Sequence, residues 1–184
     1  MMRIHVGALL VAMVVLGPTA QATTFAPADF SELVLAARAI AHGRVIDVQP
    51  QLSDGRRRVE TMVTLQVATY LKGSLGATVV FRVPGAQLGR YRTIILDAPN
   101  FVPGDEVVLL LGSRGPSVPY VLGLSQGVFR VTSDPISGER RVMPTPVRGE
   151  GSEWTRVVRG DSSRRPILLT DFASSVQAIL RGQP

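Results

Sequence analysis

From residue 44 onward the apolar positions of this chain recur every second residue, in short runs cut by glycine and proline, and that pattern leaves few folds open. Residues 60–71 carry it most clearly. Val63, Leu65, Val67, Thr69 and Leu71 share one face, Thr64, Gln66 and Tyr70 share the other, and Lys72-Gly73 closes the run. Side chains that alternate in this way build a strand half-buried against a core. Residues 44–49 and 78–83 repeat the pattern, the second stopping at Pro84-Gly85, and Asp54-Gly55 supplies a hairpin turn signal between the first two strands. Residues 92–97 are a further strand candidate, ended by Pro99-Asn100. Val107, Val108, Leu109, Leu110 and Leu111 do not alternate at all, which predicts a central strand covered on both faces. Residues 120–124 and 128–132 read as a hairpin around Ser125-Gln126-Gly127, and the turn at 134–138 leads to a short strand at 140–143. Six to seven short strands make the fold mainly β, a single OB-like barrel or a β-sandwich.

Helical periodicity is confined to the two flanks. Phe30, Leu33, Val34, Ala37 and Ile40 are spaced as one helix face, so a helix is expected over 28–39, with Pro27 in its first turn and its end near Gly43. Phe172, Val176, Ile179 and Leu180 form the apolar stripe of a second helix, capped by Thr170 or Asp171. Between them residues 144–165 are polar, with Trp154, Val157 and Val158 as the anchors of a surface loop. The expected organisation is a leader at 1–22, a helix plus barrel or sandwich over 23–143, a polar loop over 144–168, and a helix and tail over 169–184.

The leader is read from Arg3, the apolar run of residues 6–16, the Gly17-Pro18 break and the small residues of Ala20-Gln21-Ala22. These are the three parts of a secretory signal, with the cut between Ala22 and Thr23, and they imply a periplasmic or secreted chain. The run is far shorter than the ~20 residues a bilayer span requires.

Composition removes several chemistries. With no cysteine there is no disulfide, no thiolate zinc site and no cysteine nucleophile. His42 is the single histidine beyond the leader, read as a polar residue at a helix-to-strand junction, and no acidic cluster has ligand spacing. No metal or cofactor is therefore expected. The formal net charge is +6. Lys72 is the only lysine, and the arginines are scattered as on a solvated surface rather than gathered in a stripe. Gly123-Leu124-Ser125-Gln126-Gly127 matches the nucleophile elbow of hydrolases. The elbow needs a helix after the serine and a histidine later in the chain. Here a strand pattern follows and His42 precedes, so no catalytic residue is assigned and a non-enzymatic protein is expected.

Several ordered pieces resemble a group of uncharacterised exported bacterial proteins. They are Ala41-His42-Gly43-Arg44-Val45, Thr64-Leu65-Gln66-Val67 running into Tyr70-Leu71-Lys72-Gly73, Val83-Pro84-Gly85, Pro99-Asn100-Phe101-Val102-Pro103-Gly104-Asp105 and the Gly123–Phe129 stretch. The strand entering a Lys-Gly turn is also similar to the netrin and metalloproteinase-inhibitor class of OB-like barrels. Some proteins of the bacterial group accompany matrixin-type secreted proteases, so the resemblance implies an interaction module whose partners include such a protease. Inhibitors of that class depend on an N-terminal cysteine and disulfides. This chain has neither, and their zinc-chelating mechanism does not carry over.

The leading functional reading is a non-enzymatic module of the envelope or medium that binds a protein or peptide partner. The surface expected to do so is the 84–92 loop with Gln87, Arg90 and Tyr91, together with the turn at Phe101. A second reading is a binder of acidic polymers (polysaccharide, lipid head groups or nucleic acid), using Phe81, Arg82, Phe129 and Arg130 on exposed strands. Export and an aromatic content of 5% weigh against nucleic acid. An enzyme of unrecognised type is the third reading.

Overall fold

The computed structural model describes residues 28–53, 58–115, 117–145 and 165–182. The expected leader and cleavage point, the expected turn at Asp54-Gly55, and the expected anchors Trp154, Val157 and Val158 lie outside them.

The elements run α1 (Phe30–Ala36), β1 (Ala39–Leu52), β2 (Val59–Lys72), β3 (Thr78–Pro84), β4 (Ala86–Leu88), β5 (Tyr91–Thr93), β6 (Glu106–Gly112), β7 (Tyr120–Val121), a 3₁₀ turn (Leu124–Gly127), β8 (Val128–Ser133), β9 (Arg140–Pro144), β10 (Ile167–Leu168) and α2 (Leu169–Leu180). The fold is mainly β, with a helix near each end. β1 pairs with β2, β2 with β3, β3 in parallel with β7, β7 with β6, and β6 back with β1. Five strands thus close a ring, the barrel rather than the open sandwich. Closure matters physically because it pairs strand edges that an open sheet would expose, although β3 meets β7 at one residue pair only, Arg82 with Tyr120. β8, β9 and β10 extend the sheet beyond it.

β1 serves two neighbours along its length and bends to do so, with register shifts at Ile40/Ala41, His42/Gly43 and Val45/Asp47. Gly43 marks the second of these. A Cβ there would lie 2.2 Å from the Gln66 carbonyl oxygen, so only glycine lets β2 approach so closely.

The strand patterns sort into two cores. Val79, Phe81 and Val83 of β3 point into the barrel with Val63 and Leu65 of β2, while the intervening β3 residues Val80 and Arg82 face out. β6 serves both sides. Val107, Leu109 and Leu111 fill the barrel, while Val108 and Leu110 enter a second core beneath the helices with Ile40, Phe129, Phe172 and Val176. In that outer core Phe30, Phe129 and Phe172 meet in pairs, with ring centroids 4.8–5.7 Å apart.

Several local expectations need correction. α1 is shorter than residues 28–39. Asp29 caps its start, accepting from the Ser31 and Glu32 amides, and at Ala37 the backbone turns extended. The Arg38 amide then donates to the Leu111 carbonyl, so Ala39, Ile40 and Ala41 belong to β1. A strand buried on both faces keeps every residue apolar or small, which imitates a helix face over a few positions. Lys72 Nζ donates to the Val34 and Leu35 carbonyls at 2.8 Å each, satisfying the end of α1. His42 is accordingly inside a strand, not at a junction.

Of residues 92–97 only the first two are extended, as the end of β5. The predicted hairpin at 120–132 does not form either. β7 and β8 are two pieces of one course along the same edge of β6: the two-residue step from Leu111 to Leu109 is matched by the chain from Val121 to Val128. The 3₁₀ turn takes up the excess. Gly127 permits it, since a Cβ there would lie 2.1 Å from the Leu122 carbonyl oxygen. Beyond the turn the course leaves β3 and pairs with β9 instead. Finally, Ile167 and Leu168 form β10 rather than loop. α2 starts at Leu169 with no side-chain cap from Thr170 or Asp171. Among the described residues no helix is long and apolar enough to cross a membrane.

Candidate functional site

Where β3 leaves the barrel at Pro84-Gly85, the chain builds a small hairpin of its own. Ala86 faces Thr93, Gln87 faces Arg92 and Leu88 faces Tyr91, with Gly89-Arg90 as the two-residue turn. Gly89 has φ +57°, the positive φ that such a turn demands at its first central position. The hairpin is moored to β2 at its base. The Val59 amide donates to Thr93 Oγ1 at 2.9 Å, and Thr61 Oγ1 donates to the Gly85 carbonyl at 2.9 Å. At the tip the Arg90 guanidinium lies 5.1 Å over the Tyr91 ring and donates to its hydroxyl at 3.0 Å. This contact orders two long side chains while they remain exposed.

Past β5 the chain presents apolar side chains outward. Ile94 is 67% exposed, Leu96 57% and Tyr91 46%, with Leu88 and Ile95 also exposed. They form a ridge at one end of the barrel. From residue 82 to residue 96 the sequence carries Arg82, Arg90 and Arg92 and no acidic residue. All three arginines are exposed, and among the described residues none is ion-paired.

The ridge ends at a strained anchor. Asp97 (φ +60°) and Leu124 (φ +54°) are the two described non-glycine residues with positive φ, and the Ser125 amide donates to the Asp97 carbonyl at 3.2 Å. Conformations of this kind persist where the surroundings over-determine them. Here the barrel holds both sides of the contact. Immediately afterwards the chain turns inward, burying Pro99 and Phe101.

Gln87, Arg90 and Tyr91 therefore sit on one exposed hairpin where a loop was expected, with Gln87 and Arg92 on the face opposite Leu88 and Tyr91. Phe101 is not with them. It is 4% exposed, inside the barrel, edge-on to Phe81 at 5.5 Å. Its aromatic ring closes the barrel end, and the exposed side chain of that turn is Val102 instead. The residues that sequence reasoning missed are Leu88, Ile94, Ile95 and Leu96. Ile94, Ile95 and Leu96 lie in the run expected to be a strand at 92–97, and Leu88 in the stretch expected to be a loop.

The surface proposed for acidic polymers is dismantled by burial. Phe81 and Phe129 lie in the two cores, so neither ring is available for stacking. Arg82 is exposed, but Arg130 is committed to Asp105, at 2.7 Å, and to the Asn100 carbonyl.

His42 is buried, with Nε2 at 2.8 Å from Glu106 Oε1, and Glu106 also meets Arg44 and Arg140 at 3.6 and 3.4 Å. This network ties β1, β6 and β9 together. The G-x-S-x-G serine is 3% exposed in the 3₁₀ turn, its Oγ without a hydrogen-bond partner among the described residues, and a strand follows it. The helix that would aim backbone amides at an oxyanion is not there. Among the described residues no three histidine or acidic side chains are grouped to hold a metal ion. No family model, curated protein or solved structure matches this chain.

Proposed function

We propose that this chain is an exported, non-enzymatic binding module of the bacterial envelope or medium, and that it docks a protein or peptide on the ridge of residues 88–96. The observation that supports this reading is the run of exposed apolar side chains there, flanked by three arginines with no ion pair among the described residues. Contiguous exposed apolar side chains rimmed by polar ones mark interaction sites on soluble domains. Arginine and tyrosine are the residues that most often anchor them. The charge selects the partner: a segment with apolar side chains between acidic ones fits this surface, and a basic one does not. A secreted protease is the partner class that the sequence resemblance implies. The leader supports export.

Replacing Arg90 and Tyr91 together by alanine is expected to weaken partner binding by more than about 2 kcal/mol, the scale of a hot spot. The melting temperature stays nearly constant, because both side chains are exposed. Retained binding overturns the assignment of the ridge. Salt-sensitive retention on heparin by the same three arginines, with no protein captured, favours the acidic-polymer reading instead.

A further inference from the structure

The start of β3 faces a different feature from its end. An open cleft of about 240 Å³ lies between the outward face of β3, the residues that follow β6, and Arg38. That volume sits below the ~300–1,000 Å³ of sites for drug-sized ligands, and so suits a molecule of one small ring.

Its lining is chemically mixed in an orderly way. Arg38 is held at the backbone, where its amide closes onto the Leu111 carbonyl, so its side chain projects from a fixed point of the barrel. Its guanidinium reaches Ser113 Oγ at 3.5 Å, the outer limit of a hydrogen bond, and among the described residues it has no ion pair. A guanidinium offers five N–H donors in a planar fork, so nearly all of them remain for a ligand. The serines beside it are different. Ser113 Oγ donates to the Gly115 carbonyl at 2.8 Å, and Ser117 Oγ donates to the Arg114 carbonyl at 2.6 Å. With their protons committed, these hydroxyl oxygens remain as acceptors. Leu75, Val80 and Pro119 supply the cleft's apolar lining.

We propose that this cleft binds a small hydroxylated oxyanion, a sugar acid or sugar phosphate. Its carboxylate or phosphate pairs with Arg38, its hydroxyls donate to Ser113 and Ser117, and its ring face lies against Val80. A plain anion would leave the serine acceptors unused, and a neutral sugar could accept from the guanidinium but would leave its charge unmatched. The site is independent of the ridge, which lies past the other end of β3.

The test is titration of the ¹⁵N-labelled mature chain with glucuronate, glucose 1-phosphate, glucose and acetate, following the amides of Thr78, Val80, Ser113, Gly115 and Ser117. Glucuronate or glucose 1-phosphate is expected to shift these amides saturably, and whichever binds more tightly distinguishes the carboxylate from the phosphate. Glucose and acetate bind at least tenfold more weakly. Arg38→Ala weakens the charged probe at least tenfold while the remaining spectrum keeps its dispersion. Val80→Glu, an exposed change that places a negative charge on the apolar lining, does the same, and keeps the test decisive should Arg38→Ala disturb the fold. The proposal is overturned if neither charged probe moves these amides, or if both variants respond as the parent chain does.

Discussion

Val107–Leu111 and Ile94–Leu96 are comparable runs of large apolar residues, and they end in opposite environments. Every side chain of the first is fully buried, while in the second Ile94 and Leu96 stand mostly in solvent and Ile95 is partly exposed. What separates them is position in the ring rather than composition. β6 has β1 on one edge and β7 with β8 on the other, a barrel interior on one face and two helices on the other. The Ile94 run follows the β4–β5 hairpin, and among the described residues no layer lies over it. Apolar content alone says that a residue wants cover. Topology decides whether the chain itself supplies that cover, and where it does not, a partner can.

The comparison makes graded predictions. Leu109→Ala should destabilise the fold by about 2–5 kcal/mol, the range for truncating a buried leucine in a core that relaxes only partly. Denaturant unfolding measures it, and a loss near zero would mean that the barrel core is misplaced. Lys72→Met should cost about 1–2 kcal/mol, because it removes a charged donor from two helix-end carbonyls while keeping the apolar stem. Replacing Ile94 and Leu96 together by serine should shift stability by no more than about 0.5 kcal/mol per site, the range for exposed positions, yet abolish partner binding. A large loss of stability there would put these side chains in a core and erase the contrast with β6.

The smallest effect belongs to Asp134, in the exposed turn between β8 and β9. Its carboxylate accepts from the Ser137 and Ile136 amides, and these bonds hold its pKa below the ordinary 3.8. A folded-state pKa below the unfolded value stabilises above the unfolded pKa, and that contribution disappears as pH falls through the lowered folded value. NMR titration of the Asp134 carboxyl should therefore show a midpoint below 3.8, and Asp134→Asn should matter least in acid.

Much of this architecture was legible in the sequence, and the parts that were not share a physical cause. β3 alternates cleanly, and β2 does so as far as Val67, because one face meets the barrel core. Past Val67 the faces of β2 exchange, Tyr70 packing on the barrel core and Leu71 on the core beneath the helices, and β6 is continuous because both faces are covered. The start of β1 was hidden because Ala39, Ile40 and Ala41, covered on both faces, carry no period of two. The β7–β8 course was hidden because the 3₁₀ turn rests on a close approach at Gly127 that exists only in three dimensions. At the candidate site Gln87, Arg90 and Tyr91 were legible from turn chemistry and residue type. Phe101 was not, since its Pro-Asn and Pro-Gly neighbours suggest an exposed turn, and only closure of the barrel around Phe81 draws the ring inside. Ile94 and Leu96 emerge as candidate site residues only once it is seen that nothing in the described chain packs over them.

Exposure alone does not make an interaction site, and Ile136 supplies the control. It is 97% exposed, in the β8–β9 turn, and stands outside the ridge. A photo-crosslinking amino acid placed at position 94 or at position 136 of the full chain, followed by irradiation in its native medium, tests the central claim most directly. The account predicts discrete protein adducts from position 94, lost on Arg90→Ala with Tyr91→Ala, and none from position 136. The same adducts from both positions, or none from position 94, would contradict it.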